Sequence, residues 1–462
     1  MENYKNQVTK HYSLAFIILT YLITLAKCIV EIPIQSFDYK DFYVKQESIS
    51  ISENKFLVAR VKIGSNDQEF KLILDSTSPL SWVALKDSKD EFIINNHYNP
   101  SESSSSKKID KEFEINYNNL YCKGNYYEDV IQFIDNKKFN FKFGAASETK
   151  FISDEVDGMM GLAYDYEEEN LSFLNSLKNS GITDSLSFSI SIDEDYTKGT
   201  IYLGKHEDFS KNETISCPLK FDKYKTYWAY NIKSLIMNNT LNEIKSEKTF
   251  QVIFDTSSNV IVLPVLNFND IKDKLNTFEC KYITYGDLDS LTYTLACTNE
   301  EKLPNIKLKL NGQMFILPKK YIFYKQEEVF YSEIIFQGDN GIIGNLFFSL
   351  FHSLFDKEKK MLRFYPKNTE FIETGEIEEK EEDEGGEGGG GEGGEGGEGG
   401  EGKPENKGFK KIYLLYIIPP VVAIIIIIVV IIYCLKNKKR KNKDNFDLGF
   451  GPNEEENDIL VN

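Results

Sequence analysis

The feature that most constrains this chain is a repeat. Leu72-Ile73-Leu74-Asp75-Ser76-Thr77-Ser78 and Val252-Ile253-Phe254-Asp255-Thr256-Ser257-Ser258 share one pattern: three apolar residues, an aspartate, two hydroxyl residues and a serine. Each is followed by a second matching element, Asp157-Gly158-Met159-Met160-Gly161 in one case and Asn340-Gly341-Ile342-Ile343-Gly344 in the other. From aspartate to closing glycine the distance is 86 residues in the first copy and 89 in the second. Two spacings that agree independently mark a duplicated unit, hence two lobes related by an approximate two-fold axis.

Between residues 48 and 366, short apolar or alternating runs are broken by Asn, Asp, Gly and Ser, the pattern of many short strands. Twenty-seven tyrosines and thirty-three phenylalanines strengthen that reading, because aromatic side chains fit a pleated surface. Helical periodicity is scarce. It predicts one helix over 168–180, where Leu171, Leu174 and Leu177 recur ahead of Gly181. The fold class is therefore mostly β.

A carboxylate at the end of an apolar strand must be solvated or hydrogen-bonded. An isolated Asp-Ser or Asp-Thr is most often a turn or cap. Two of them at matched positions have another use: if the strand ends meet, the carboxylates cannot both ionise easily and share one proton. Such a pair holds a water, one carboxylate acting as base while the other, protonated, polarises a carbonyl. Asp75 and Asp255 are thus the candidate catalytic residues. No cofactor or metal is expected, since the four histidines fall in no ligand spacing. A formal charge of −18 excludes a nucleic-acid partner.

At this level of detail residues 48–366 resemble the pepsin-like aspartic peptidases, the pepsin and cathepsin D family. That family has Asp-Thr-Gly-Ser followed by Trp-Val, against Asp75-Ser76-Thr77-Ser78 and Trp82-Val83 here; in its second lobe it has Asp-Thr-Gly followed by Ser or Thr, against Asp255-Thr256-Ser257-Ser258. Asp157 to Ala163 matches its Asp-Gly-apolar-apolar-Gly-Leu-Ala, and Ile342 to Asn345 with Phe355-Asp356 and Phe364-Tyr365-Pro366 resembles its closing strands. The resemblance implies a bilobal aspartic peptidase fold, protein or peptide substrates, and supporting roles for Ser76, Ser78, Thr256, Ser258 and Trp82. It also implies a flap hairpin carrying a tyrosine that bonds Trp82. Tyr117, 42 residues after Asp75 and followed by Asn118-Asn119, is the candidate. Thr77 and Ser257 stand where the family has glycine. A Cβ there either crowds the substrate and tilts a carboxylate, or brings a hydroxyl that donates to the pair. The expected function is aspartic endopeptidase; the alternative is an inactive or weakly active relative that binds peptides or protein partners in the same cleft.

The flanks are those of a secreted-pathway protein. Residues 1–28 read as a signal peptide, with Lys5 and Lys10 before Leu14–Ala26 and Ala26-Lys27-Cys28 at the cleavage site. Residues 29–47 form a short lead in which Ile32-Pro33-Ile34 resembles the start of a family prosegment. About 15 residues fall short of a masking segment, so no zymogen is expected. The peptidase-like domain spans 48–370, with lobes at about 48–215 and 216–370, and a Glu/Gly-rich stalk, flexible and self-repelling, spans 371–411. Residues 412–435 are an uncharged apolar run long enough to cross a bilayer, and the basic cluster from Lys436 opens a cytosolic tail, 436–462. The domain is thus luminal or extracellular in a single-pass type I membrane protein, at the cell surface or in the endolysosomal system. There Cys280 and Cys297 are the favoured disulfide, which also looks like the family's second-lobe bridge. Asn170, Asn212 and Asn238 are glycan acceptors.

Overall fold

The computed structural model describes residues 30–373 apart from 39–54, 91–95, 118–119, 134–136, 151–155, 165–170, 195, 205–214, 220–225 and 286–290. The segments expected to be a signal peptide, a stalk beyond Glu373 and a cytosolic tail, the apolar run 412–435, Asn170 and Asn212 lie outside the described residues. No helix among the described residues is long and apolar enough to cross a membrane.

Strands dominate, and the first copy of the repeat shows why. Gln68–Asp75 alternates at its outer end and is buried continuously from Leu72 to Asp75, so the strand dives from the surface into the core. The strands assemble into sheets of thirteen, eight and five members. The largest is built mainly from the first half of the chain. Two strands from the far end join it: Phe351–Asp356 pairs with Ser187–Ile192, and Met361–Pro366 with Ile215–Pro218. The two smaller sheets come from residues between Ala229 and Glu373.

The pseudo-symmetry is explicit in the pairings. Gln68–Asp75 runs parallel to Gly158–Gly161, which pairs antiparallel with Trp82–Asp90. In the second copy Phe250–Phe254 runs parallel to Gly341–Ile343, which pairs antiparallel with Ile261–Leu263. Both closing glycines are there because main chain passes over them. A Cβ on Gly161 would lie 2.6 Å from the Ser78 carbonyl oxygen, and one on Gly344 would lie 2.4 Å from those of Ser258 and Val260. The second half of each motif thus seats the loop that follows each aspartate.

Three departures from the sequence reading follow from packing. Val30–Asp38, inside the segment read as a lead, pairs with Lys198–Leu203 on one side and Lys55–Ile63 on the other, burying Val30, Ile32 and Ile34. At the other end Ile372–Glu373 pairs with Met314 and Phe315, past the expected edge at 370. The helix is shorter than predicted, Phe173–Asn179, because Ser172 caps it by accepting from the Asn175 N–H; Leu174 and Leu177 enter the main core as the periodicity required. The Cys280–Cys297 disulfide is formed between facing positions of adjacent strands. Cys122 and Cys217 sit in separate core clusters.

Gly344→Ala should cost about 3 kcal/mol or more, since the atoms it meets are main chain that cannot rotate away. Urea unfolding of the purified variant against wild type measures it; a loss below about 1 kcal/mol would mean the Ser258–Val260 loop is free to shift.

Candidate active site

The two aspartates are brought together by their neighbours. Ser76 and Thr256, one residue beyond each aspartate, exchange hydrogen bonds across the lobes: the Ser76 N–H donates to Thr256 Oγ1 and the Thr256 N–H to Ser76 Oγ, each at 3.0 Å. Their hydroxyls donate onward to the opposite strand, Ser76 Oγ to the Phe254 carbonyl at 2.7 Å and Thr256 Oγ1 to the Leu74 carbonyl at 2.8 Å. Both residues are fully buried. Short hydroxyl side chains are required here because each must donate and accept at once, next to the backbone.

Each carboxylate is held by the turn that follows it. Asp75 Oδ1 accepts from the Thr77 N–H at 2.7 Å, the Thr77 hydroxyl at 2.6 Å and the Ser78 N–H at 3.1 Å. Asp255 Oδ1 accepts from the Ser257 N–H at 2.8 Å and the Ser257 hydroxyl at 2.7 Å. Asp75 is buried and Asp255 half-buried. Burial lifts the Asp75 carboxyl above the usual range, and the Thr77 and Ser78 hydrogen bonds oppose it. Burial also lifts Asp255, and the charge of Asp75 lifts it further, to about 7, against the Ser257 and Ser258 hydrogen bonds. Two neighbouring carboxyls, both raised by burial and one raised further by the charge of the other, hold one proton between them over mildly acid pH. The third acid of the motifs, Asp157, differs. It is fully buried and accepts from the Lys71 N–H and from the N–H and side-chain amide of Asn96, which marks it as a structural anchor.

The supporting residues divide. Ser76 and Thr256 stand as described. Ser78 and Ser258 reach the aspartates through their N–H groups, while their hydroxyls donate to the carbonyls of Leu80 and Val260 at 3.3 and 3.4 Å. The reason is local: a hydroxyl one residue earlier, on Thr77 or Ser257, already occupies the oxygen that the backbone N–H binds. Trp82 is fully buried in a cluster with Phe113, Ile115, Cys122 and Tyr126. Those four belong to the hairpin Lys107–Tyr117 and Leu120–Gln132, the segment expected to carry the flap. Tyr117 ends the first strand in register with Leu120; its side chain and Asn118-Asn119 lie outside the described residues. Asn238 ends a strand between Glu243 and Asn305, with its side-chain oxygen buried.

Trp228 escaped the sequence reading. Its indole N–H donates to the Leu162 carbonyl at 2.8 Å, and the Tyr164 N–H donates to the Thr226 carbonyl at 3.0 Å. Its ring meets Tyr164, Phe188 and Phe355 edge-on. It thereby anchors the chain after the first lobe to the motif that seats Asp75. Its rarity, one of two tryptophans, was the available signal. Among the described residues no group of His, Cys, Asp and Glu is placed to hold a metal ion.

Comparison with known proteins places this arrangement in context. The family described as eukaryotic aspartyl protease matches residues 57–366. Gastricsin of Mus musculus is 23% identical over 69% of this chain and 82% of its own length. Vacuolar protease A of Aspergillus fumigatus is 25% identical over 64% of this chain and 75% of its own. Chymosin of Camelus dromedarius is 23% identical over 64% and 77% respectively.

Two outcomes follow from the geometry. Thr256→Val removes one hydroxyl but orphans the Ser76 N–H and the Leu74 carbonyl; it should cost about 2 kcal/mol or more in urea unfolding, and its effect should not add to that of Ser76→Ala. A carboxyl raised in the folded state stabilises below its unfolded value of 3.8, and that contribution is lost as pH rises through about 7. Asp255→Asn should therefore flatten the fall in melting temperature between about pH 4 and about pH 7; an unchanged slope would place the raised carboxyl elsewhere.

Proposed function

The chain belongs to the eukaryotic aspartyl protease family and is an aspartic endopeptidase, and on that premise we propose that Asp75 and Asp255 are its catalytic pair, acting at a membrane. The observation that carries the reading is the reciprocal Ser76–Thr256 hydrogen bonding, which fixes the residues beside both aspartates to each other. With one proton on the pair, the ionised carboxylate takes a proton from a water held between them, and the water oxygen attacks the scissile carbonyl carbon. The protonated carboxyl donates to the carbonyl oxygen as negative charge develops there. Collapse of the tetrahedral intermediate breaks the C–N bond as a carboxyl returns a proton to the leaving nitrogen. The bond cleaved is a peptide bond within a protein or peptide. The hairpin over Trp82, carrying Tyr117, covers the substrate.

The membrane part of the proposal rests on residues 412–435 and the basic cluster behind them. With 1–28 removed, this topology puts the catalytic domain on the luminal or extracellular side, and the stalk gives it reach over substrates at the same surface. An acidic address in the endolysosomal system agrees with the raised carboxyls, and one relative is named a vacuolar protease.

The test is cleavage of an unfolded protein by the full-length chain in membranes, from about pH 3 to about pH 8, with and without a statine-type inhibitor. Activity should peak at acid pH and be inhibited. Asp75→Asn and Asp255→Asn should each lower the rate by about 10³-fold while leaving the protein folded and delivered to the membrane. Activity that survives either substitution, or a profile flat to neutral pH, would assign the chemistry to other residues; a folded wild type that neither cleaves nor binds inhibitor would be a binding relative.

A further inference from the structure

Resting on the reading of Asp75 and Asp255 as the catalytic pair, we propose that Thr77 and Ser257, which stand in place of the two motif glycines, are positioning residues whose hydroxyls hold the catalytic carboxylates. Three observations converge. In both lobes the hydroxyl and the N–H of the same residue reach the same carboxylate oxygen, at 2.6 and 2.7 Å for Thr77 on Asp75 and at 2.7 and 2.8 Å for Ser257 on Asp255. In both lobes the next serine, Ser78 or Ser258, has turned its hydroxyl to a backbone carbonyl. The arrangement is also symmetric, since the same position of the motif supplies the hydroxyl donor in each copy of the repeat.

A pair of donors from one residue to one oxygen fixes the rotation of the carboxylate as well as its charge. The N–H sets the distance, and the hydroxyl, on the other side of the short ring, resists turning about the Cα–Cβ and Cβ–Cγ bonds. Hydrogen bonds to an ionised acceptor are shorter and stronger than those between neutral groups, so both hydroxyls favour the charged form. The titratable group facing each aspartate is the other aspartate; the remaining partners are the hydroxyls of Thr77 and Ser257 and the N–H groups of residues 77, 78, 257 and 258. The two added side chains therefore counter the burial that raises the pair. Crowding of the substrate, the other consequence of replacing glycine, is lessened because each hydroxyl is turned down onto its aspartate. Glycine at both positions would relieve no contact the pair needs and would remove two of its donors.

The test uses the full-length chain and variants that keep the Cβ but lose the hydroxyl, Thr77→Val and Ser257→Ala, with Thr77→Ser and Ser257→Thr as rescues. On a fluorogenic peptide, each hydroxyl-less variant should move the pH profile of kcat/KM upward by about one pH unit and lower kcat about tenfold, with KM within about twofold. The rescues should restore both. Thermal unfolding supplies a readout that needs no catalysis: the excess melting temperature at about pH 4 over that at about pH 7 should widen in Thr77→Val and Ser257→Ala and return in the rescues. If wild type cleaves but neither the profile nor the unfolding difference moves, Thr77 and Ser257 are not dyad donors and the proposal falls. If neither wild type nor variant cleaves while the unfolding difference shifts, the hydroxyl contacts stand and the catalytic reading fails. Faster cleavage by the hydroxyl-less variants would overturn the proposal in favour of crowding.

Discussion

Four hydrogen bonds, two from Ser76 and two from Thr256, carry the constraint on which the rest of the structure depends. Two acidic side chains repel each other when ionised and lose hydration when buried, so nothing in their own chemistry brings them together. The backbone has to do it. By placing a hydroxyl residue after each aspartate and letting each bond the other's N–H, the chain converts an unfavourable approach into a satisfied buried network. The parallel strand pairs, the glycines beneath the loops and the Trp228 anchor can all be read as the scaffold that keeps those four bonds in register.

Much of this was legible because duplication leaves matched spacings. The strands ending at Asp75 and Asp255, the second motifs and their glycines were readable from pattern, since a close main-chain approach leaves glycine as its trace. The disulfide was readable for a similar reason, only a few cysteines being available. What was not legible depended on rotamers and on partners distant in sequence. A serine or threonine after an aspartate does not reveal whether its hydroxyl turns to the carboxylate or to a carbonyl, so the sequence left open whether Thr77 and Ser257 crowd the pair or donate to it. Trp228 lies 66 residues from the carbonyl it bonds, with no local pattern to point there.

The glycine replacements also show how a motif can change without losing its logic. The family position calls for a residue whose N–H reaches the carboxylate and whose side chain does not intrude. Thr77 and Ser257 meet the first condition with their backbone and the second by folding the side chain inward onto the same oxygen. A hydroxyl one residue later becomes redundant there and is released to brace the turn. Function is thus held by the set of donors around an oxygen more than by the identity of any one residue in the string.

The placement of the first strand has a consequence for how the chain acquires its structure. Val30–Asp38 is among the earliest described residues to be synthesised, yet one of its neighbours is Lys198–Leu203; beyond that lie Ser187–Ile192 and then Phe351–Asp356, from the end of the domain. The edge at Ser187–Ile192 therefore stays open until Phe351–Asp356, from the far end of the domain, has been synthesised. Such topology is slow to form and leaves an unpaired edge able to join other chains in the interval. Docking of Phe351–Asp356 is consequently a late step, and the interval before it, more than the final stability, sets the exposure of that edge to misassembly.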